Sequence, residues 1–243
     1  IRKQTLKNQE RYTTETLEDL SNLILGGKDK VNELEYQIFN QIREEILDKT
    51  LMLQSLAKMI ANIDALNTLA KVALNNNYTR PQLNDSNRIV IKNGRHPVIE
   101  NNLKENEFIA NDTDIGEEDN IIQIITGPNM AGKSTYMRQM AIIIIMAQMG
   151  SFVPASAAEI SICDKVFTRI GASDNISKGE STFMLEMNEV SNILTNATSK
   201  SFVILDEVGR GTSSDDGLSI AMALVDYISK KKKFKTVFAT HFH

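Results

Sequence analysis

Residues 121–149 read IIQIITGPNMAGKSTYMRQMAIIIIMAQM. Four of the first five positions, Ile121 to Ile125, are apolar, which predicts a short buried strand of a parallel sheet. Thr126 ends that run, and Gly127-Pro128-Asn129-Met130-Ala131-Gly132-Lys133-Ser134 then satisfies G-x-x-x-x-G-K-[ST]. From Lys133 onward the residues predict a helix. Strand, glycine loop and helix in that order give the pattern its meaning. Gly127 and Gly132 permit backbone angles that a Cβ penalises, so successive N–H groups turn inward around a phosphate. The helix adds its positive end to the same anion. Lys133 is placed to reach the β- and γ-phosphates, and the Ser134 hydroxyl to ligate Mg²⁺. A chance glycine-rich turn with a solvated lysine would leave the flanking strand and helix unexplained. The stretch predicts a P-loop nucleoside-triphosphate site in an α/β domain.

Around it, 243 residues suffice for one large domain or two smaller ones. Hydrophobic residues at 42% suit a globular core, and charged residues at 24% suit a wetted surface. A formal charge of −4 supplies no global basic field, so any grip on DNA is local or lies in other residues. The single cysteine, Cys163, excludes an intramolecular disulfide and suits a reducing, cytoplasmic compartment. Its simplest role is that of a small buried hydrophobe. The most apolar run, Met140 to Met149, contains Gln148 and is roughly half the ~20 residues a membrane span needs. It reads as the buried end of the P-loop helix. The chain starts at Ile1 without methionine and stops after a strand-like run, so a fragment of something longer is expected.

Residues 1–77 are helical in character. The first twenty are polar, with Leu6, Leu17 and Leu20 scattered, and Gly26-Gly27 are expected to break their helix. From Lys28 the apolar positions Val31, Leu34, Ile38, Ile42 and Ile46 recur at steps of three and four, and Met59, Ile63, Leu66, Leu69 and Leu74 continue the pattern. This spacing predicts a long amphipathic hairpin. Asn75-Asn76-Asn77 and Pro81 mark a boundary. Arg88 to Lys92 then predicts a strand and Gly94-Arg95-His96-Pro97 a turn, with a structural role for His96 because no second His or Cys stands near it. Asn101 to Asn120 predicts a polar, acidic loop with one short strand. Phe108-Ile109 within it either stacks on a base or fills the core; periodicity alone favours the core.

Beyond the P-loop helix, Gly150 to Pro154 predicts a turn, and parts of Glu159 to Ile170 predict strand. Residues 171–180 have loop composition, and Ser181-Thr182 sit where a helix N-cap would be. Ser181 is therefore either that cap or a phosphate-facing hydroxyl. Ser201 to Leu205 followed by Asp206-Glu207 describes a buried strand with two carboxylates at its C-terminal edge, where ligands gather in open α/β sheets. Asp206 would serve Mg²⁺ through water with Ser134, and Glu207 would orient or deprotonate the attacking water. Residues 209–217 predict a polar loop, Leu218 to Ile228 a helix, Lys230 to Lys233 a solvated helix end, and Thr236 to Ala239 a last strand. His241, just past that strand, is placed to hydrogen-bond a γ-phosphate.

The segments TGPNMAGKSTYMRQ, FTRIGASDNISKGESTFMLEM, LDEVGRGTSSDDGLS and ATHFH closely resemble those of the bacterial MutS family of DNA mismatch repair proteins, in order and spacing. QTLKNQERY and GRHPVIE match too, so the resemblance covers essentially the whole chain. It implies an ABC-type ATPase domain over residues 78–243, preceded by a helical clamp-return or lever region over residues 1–77. It implies that Gly127, Pro128, Asn129, Met130, Ala131, Gly132, Lys133, Ser134 and Thr135 hold ATP, with Asn129 also positioning the hydrolytic water. By the same resemblance Ser134 and Asp206 serve Mg²⁺, Glu207 the water and His241 the γ-phosphate, while Phe108 and Ile109 contact adenine. Ser181 corresponds to a signature serine that reaches ATP on the other subunit, which implies a homodimer with composite sites. Mismatched double-stranded DNA and MutL are the implied partners.

Two departures stand out. Asp215 occupies a position where the family usually has an aromatic residue, and the Phe-x-Glu mismatch-reading motif is absent from these residues. A transporter-type ABC ATPase would carry an LSGGQ-like signature, and GESTF argues against it. An ATP-gated switch with little hydrolysis, or a MutS-like paralogue acting on branched DNA or ribosomes, are the alternatives. Asp206 with Glu207 favours hydrolysis, and the TYMRQ continuation favours the repair branch.

Overall fold

The computed structural model describes residues 2–7, 9–103, 108–116, 119–128, 131–171 and 182–241. It divides into two compact units, Ile1–Ala65 and Leu66–His243. In the first, β1 (Arg2–Leu6) and β2 (Gln9–Tyr12) pair antiparallel. They precede two helices, α1 (Glu15–Asp48) and α2 (Thr50–Asn75), the second of which crosses the division. The hairpin corrects the all-helical expectation for this region. A stretch this polar offers a helix no apolar stripe, whereas strand pairing satisfies its backbone directly. Gly26-Gly27 do not break α1 either. Each glycine costs a helix only about 1 kcal/mol relative to alanine, which a 34-residue helix tolerates. Thr14 caps its N-terminus, its side chain accepting from the Leu17 N–H at 3.2 Å.

The second unit continues with β3 (Gln82–Asn84), β4 (Ile89–Gly94), α3 (Pro97–Asn102) and β5 (Asn111–Ile115). Next come β6 (Ile122–Thr126), α4 (Lys133–Gln148), β7 (Ala157–Ser161), β8 (Val166–Arg169) and α5 (Thr182–Asn196). It closes with β9 (Phe202–Asp206), α6 (Ser214–Tyr227), a π-helical turn at Ile228–Lys232, and β10 (Lys235–Thr240). Two four-stranded sheets result. One is wholly parallel in the order β6-β10-β9-β8; the other is mixed in the order β3-β7-β4-β5.

The parallel sheet separates two cores, and strand alternation assigns each side chain to one of them. In β9, Phe202 and Ile204 join α4 and the mixed sheet, while Val203 and Leu205 join α5 and α6. In β10, Val237 and Ala239 take the first side and Phe238 the second. Burial on both faces explains the apolar runs at residues 202–205 and 237–239 within these two strands. The run at residues 121–125 reads the same way, yet β6 lies at the sheet's edge and its Ile124 is 56% exposed. Hydrophobicity alone does not tell a central strand from an edge one.

Two helices extend past their expected limits. Pro97 occupies the first turn of α3, where its fixed φ suits the helix and its missing N–H costs nothing, so the expected turn opens a helix instead. His96 caps it, Nδ1 accepting from the Ile99 N–H at 3.4 Å, and is buried. α6 begins at Ser214 rather than Leu218, because Ser213 caps the Asp216 N–H and Asp215 and Asp216 complement the dipole. Cys163 is buried and free, and burial pushes its thiol up. Among the described residues no helix is long and apolar enough to cross a membrane.

Candidate active site

Parallel pairing sets the C-terminal ends of three strands side by side. Thr240 of β10 is in register with Thr126 of β6, and Ala239 with Asp206 of β9. The segments leaving these strands therefore converge: the glycine loop after Thr126, Glu207 after Asp206, and His241 after Thr240. This is the edge of an open parallel sheet at which ligands bind.

The loop leads directly from β6 into α4. Gly127 and Gly132 take φ of 147° and 86°, a region in which a Cβ is strained. Gly132 is the N-cap of α4, and among the described residues no side chain caps that end, which leaves its first N–H groups without a capping partner there. Lys133, 8% exposed, curls back over it: Nζ donates to the Gly127 carbonyl at 2.6 Å and to the Pro128 carbonyl at 3.1 Å. Ala131, Gly132, Lys133 and Thr135 line a cleft of about 470 Å³ that Phe108 and Ile109 also line. Ile109 is 82% exposed, so it is not the core filler that periodicity favours. Asn129, Met130 and Ser181 lie outside the described residues.

At the end of β9, which β10 separates from β6, Asp206 Oδ2 accepts from the Ser134 hydroxyl at 2.8 Å. Asp206 is buried, and its Oδ1 has no hydrogen-bond partner among the described residues. An unsatisfied buried carboxylate oxygen is costly unless something cationic meets it. Among the described residues no cluster of three or more His, Cys, Asp or Glu could cage a metal. One carboxylate and one hydroxyl suit Mg²⁺, which keeps several waters and takes its remaining ligands from phosphate.

Glu207 has φ 55°, uncommon for a residue with a Cβ, while its N–H still bonds the Ala239 carbonyl at 3.0 Å. The turn projects its carboxylate between two partners. Oε1 lies 2.5 Å from His241 Nε2, and Oε2 accepts from Arg210 at 2.6 Å. Burial works to raise the Glu207 pKa, but the His241 hydrogen bond and charge, with Arg210, outweigh it and hold the carboxyl below its ordinary range. It is ionised at neutral pH and able to accept a proton. Behind it, buried Glu186 of α5 accepts from the Gly209 N–H at 2.8 Å and faces Arg169 at 3.9 Å. Sequence reasoning missed both the Arg210 contact and the Glu186 tie. The i,i+3 spacing of Glu207 and Arg210 is a signal for the first, and none exists for the second.

A family model described as MutS domain V matches residues 123–243. A DNA mismatch repair protein MutS from Clostridium kluyveri is 56% identical over the whole of this chain, which covers 28% of that relative. Proteins of the same name from Clostridioides difficile and Caldanaerobacter subterraneus subsp. tengcongensis are 57% and 59% identical over the whole chain, which covers 26% and 28% of them. The chain belongs to the MutS family. It spans a little over a quarter of the length of the curated relatives it matches. The domain V match begins at Gln123, inside β6, and takes in the glycine loop, α4 and the strand ends that carry Asp206 and His241. A mixed α/β architecture fits that domain of MutS.

Proposed function

We propose that residues 78–243 are the ABC-type ATPase domain of a cytoplasmic DNA mismatch repair protein, and that residues 1–77 are its lever region. The reading rests above all on the Ser134–Asp206 hydrogen bond of 2.8 Å, beside an Asp206 Oδ1 that has no partner among the described residues. Gly127 to Thr135 cradle the ATP phosphates, and Lys133 exchanges its two loop carbonyls for the β- and γ-phosphates. Ser134 and Asp206 hold Mg²⁺, which when bound offsets charge on the transferred phosphoryl group. Phe108 and Ile109 take the adenine. Glu207, ionised and aimed by His241, orients the attacking water with Asn129 and accepts its proton, and His241 also senses the γ-phosphate.

Ser181 of a second subunit completes the site, so the working unit is a homodimer. Its nucleotide state sets the clamp on mismatched DNA and the recruitment of MutL. The test is ATPase rate against protein concentration, with Ser181→Ala alongside. A specific rate that climbs with concentration and is suppressed in the variant is expected. A fast rate, flat with concentration and indifferent to Ser181, would sink the shared site.

A further inference from the structure

The cleft beside the glycine loop is lined by two different elements. The start of α4 contributes Lys133, Thr135 and Tyr136, and the residues leading into β5 contribute Phe108 and Ile109. A nucleotide gripped at both ends needs the distance between them to be fixed. One side chain spans the gap. Tyr136, one turn into α4 and itself in the cleft wall, places its hydroxyl 3.1 Å from the Asp112 carbonyl and 3.0 Å from Thr113 Oγ1. The Tyr136 hydroxyl has one proton and gives it to the carbonyl, so buried Thr113 must donate to it.

The strip it meets is restrained from the other side as well. β5 pairs with β4, Asp112 Oδ1 accepts from the Asn93 N–H at 2.8 Å, and Lys92 pairs with Oδ2 at 2.9 Å. Asn111 carries this order past the strand's end, its Nδ2 donating to the Ile109 carbonyl at 2.9 Å. The chain that presents an exposed isoleucine to the cleft is thus tied, through two side chains, to the helix that presents the phosphate loop.

We propose that Tyr136 and Asn111 are positioning residues that set the base-binding strip at a fixed span from the phosphate loop, so that adenine and triphosphate are gripped together. The inference rests on the nucleotide-site reading above. It requires that the base's share of binding depend on the Tyr136 hydroxyl while the phosphate share does not.

The experiment is calorimetric titration of the 243-residue chain with Mg-ATP and, separately, with Mg-tripolyphosphate, which carries the phosphates without a base. Tyr136→Phe removes one oxygen and keeps the ring's packing, and Asn111→Ala cuts the second tie. In each variant the ATP Kd is expected to rise about three- to tenfold, the worth of one or two hydrogen bonds, with the tripolyphosphate Kd unchanged. Equal weakening for both ligands would mean that the tyrosine acts through the phosphate loop, and would overturn the proposal. So would unchanged Kd values with a lowered melting temperature, because the ties would then be structural only. If the parent chain bound neither ligand, the nucleotide-site reading itself would fail, a result distinct from either of those.

Discussion

Glu207→Gln tests the hydrolytic geometry most directly, because it removes charge and basicity while keeping size. The parent carboxylate sits 2.5 Å from His241 Nε2 and 2.6 Å from Arg210, with its side chain 19% exposed. Among the described residues the carboxylate bonds His241 and Arg210, and the Glu207 backbone N–H donates to the Ala239 carbonyl; none of these is a glycine-loop residue. ATP affinity should therefore change by less than about threefold, roughly 0.65 kcal/mol. Stability should change little too, because the Arg210 side chain is 72% exposed and such pairs are worth about 0–1 kcal/mol. Turnover is another matter. A positioned general base contributes about 10²- to 10⁴-fold, or roughly 2.7–5.4 kcal/mol of barrier. Single-turnover hydrolysis at saturating Mg-ATP, with Kd measured in parallel, separates the two effects. Slowing of at least about a hundredfold at near-parent Kd is expected. A rate within tenfold of the parent, or rate and affinity falling together, would remove Glu207 from the role assigned here.

Lys133→Ala should raise the ATP Kd about ten- to a hundredfold, since hydrogen bonds to charged groups are worth about 1.5–3 kcal/mol; unaltered affinity in the same titration would contradict a phosphate-binding loop. Asp206→Asn should raise the Mg²⁺ concentration needed for half-maximal turnover by about tenfold or more, while binding of ATP without Mg²⁺ stays near the parent value. Should the Mg²⁺ dependence not move, the metal lies elsewhere. His96 titrates below its ordinary range because burial, aided by nearby Arg138, outweighs a backbone hydrogen bond that favours the charged ring. The unfolded chain then binds a proton that the folded one refuses, so stability falls as pH drops below about 6.5 toward the folded pKa. Thermal melts between about pH 7.5 and 5.5 should show a shallower decline for His96→Asn, which keeps a capping oxygen; parallel curves would show that another group carries the dependence.

The legible parts of this chain are those where local physics and tertiary demand coincide. The proposed phosphate loop needs glycines, a lysine and a hydroxyl within eight consecutive residues, so residues 127–134 stand out as a pattern. β9 and β10 are buried on both faces, which calls for the apolar runs at residues 202–205 and 237–239 at their centres. Where the two diverge, sequence patterns mislead. Gly26-Gly27 look like a helix end, yet α1 absorbs their cost over its length. Residues 2–12 carry no strong periodicity of either kind, and strand pairing, a contact between segments, decides their state. Gly94 to Pro97 look like a turn because proline is read as a breaker, although at the first helical position it is a starter.

The site divides along the same line. Asp206 is readable because it terminates an apolar run, but its unpartnered oxygen is visible only once Ser134 has arrived from 72 positions away to take the other one. Glu207 and His241 are 34 residues apart and meet because β9 and β10 are hydrogen-bonded neighbours in parallel register. That register explains why the pair can be specified so economically. With Asp206 opposite Ala239, Glu207 falls level with Thr240, one residue before His241, and a left-handed turn at Glu207 accompanies the meeting of its carboxylate with the imidazole. A one-residue slip between the strands would turn every β10 side chain to the opposite face, sending Phe238 out of the α5–α6 core, so packing forbids the shift. The buried alternation of the sheet is therefore what holds the distance between carboxylate and histidine at hydrogen-bonding range.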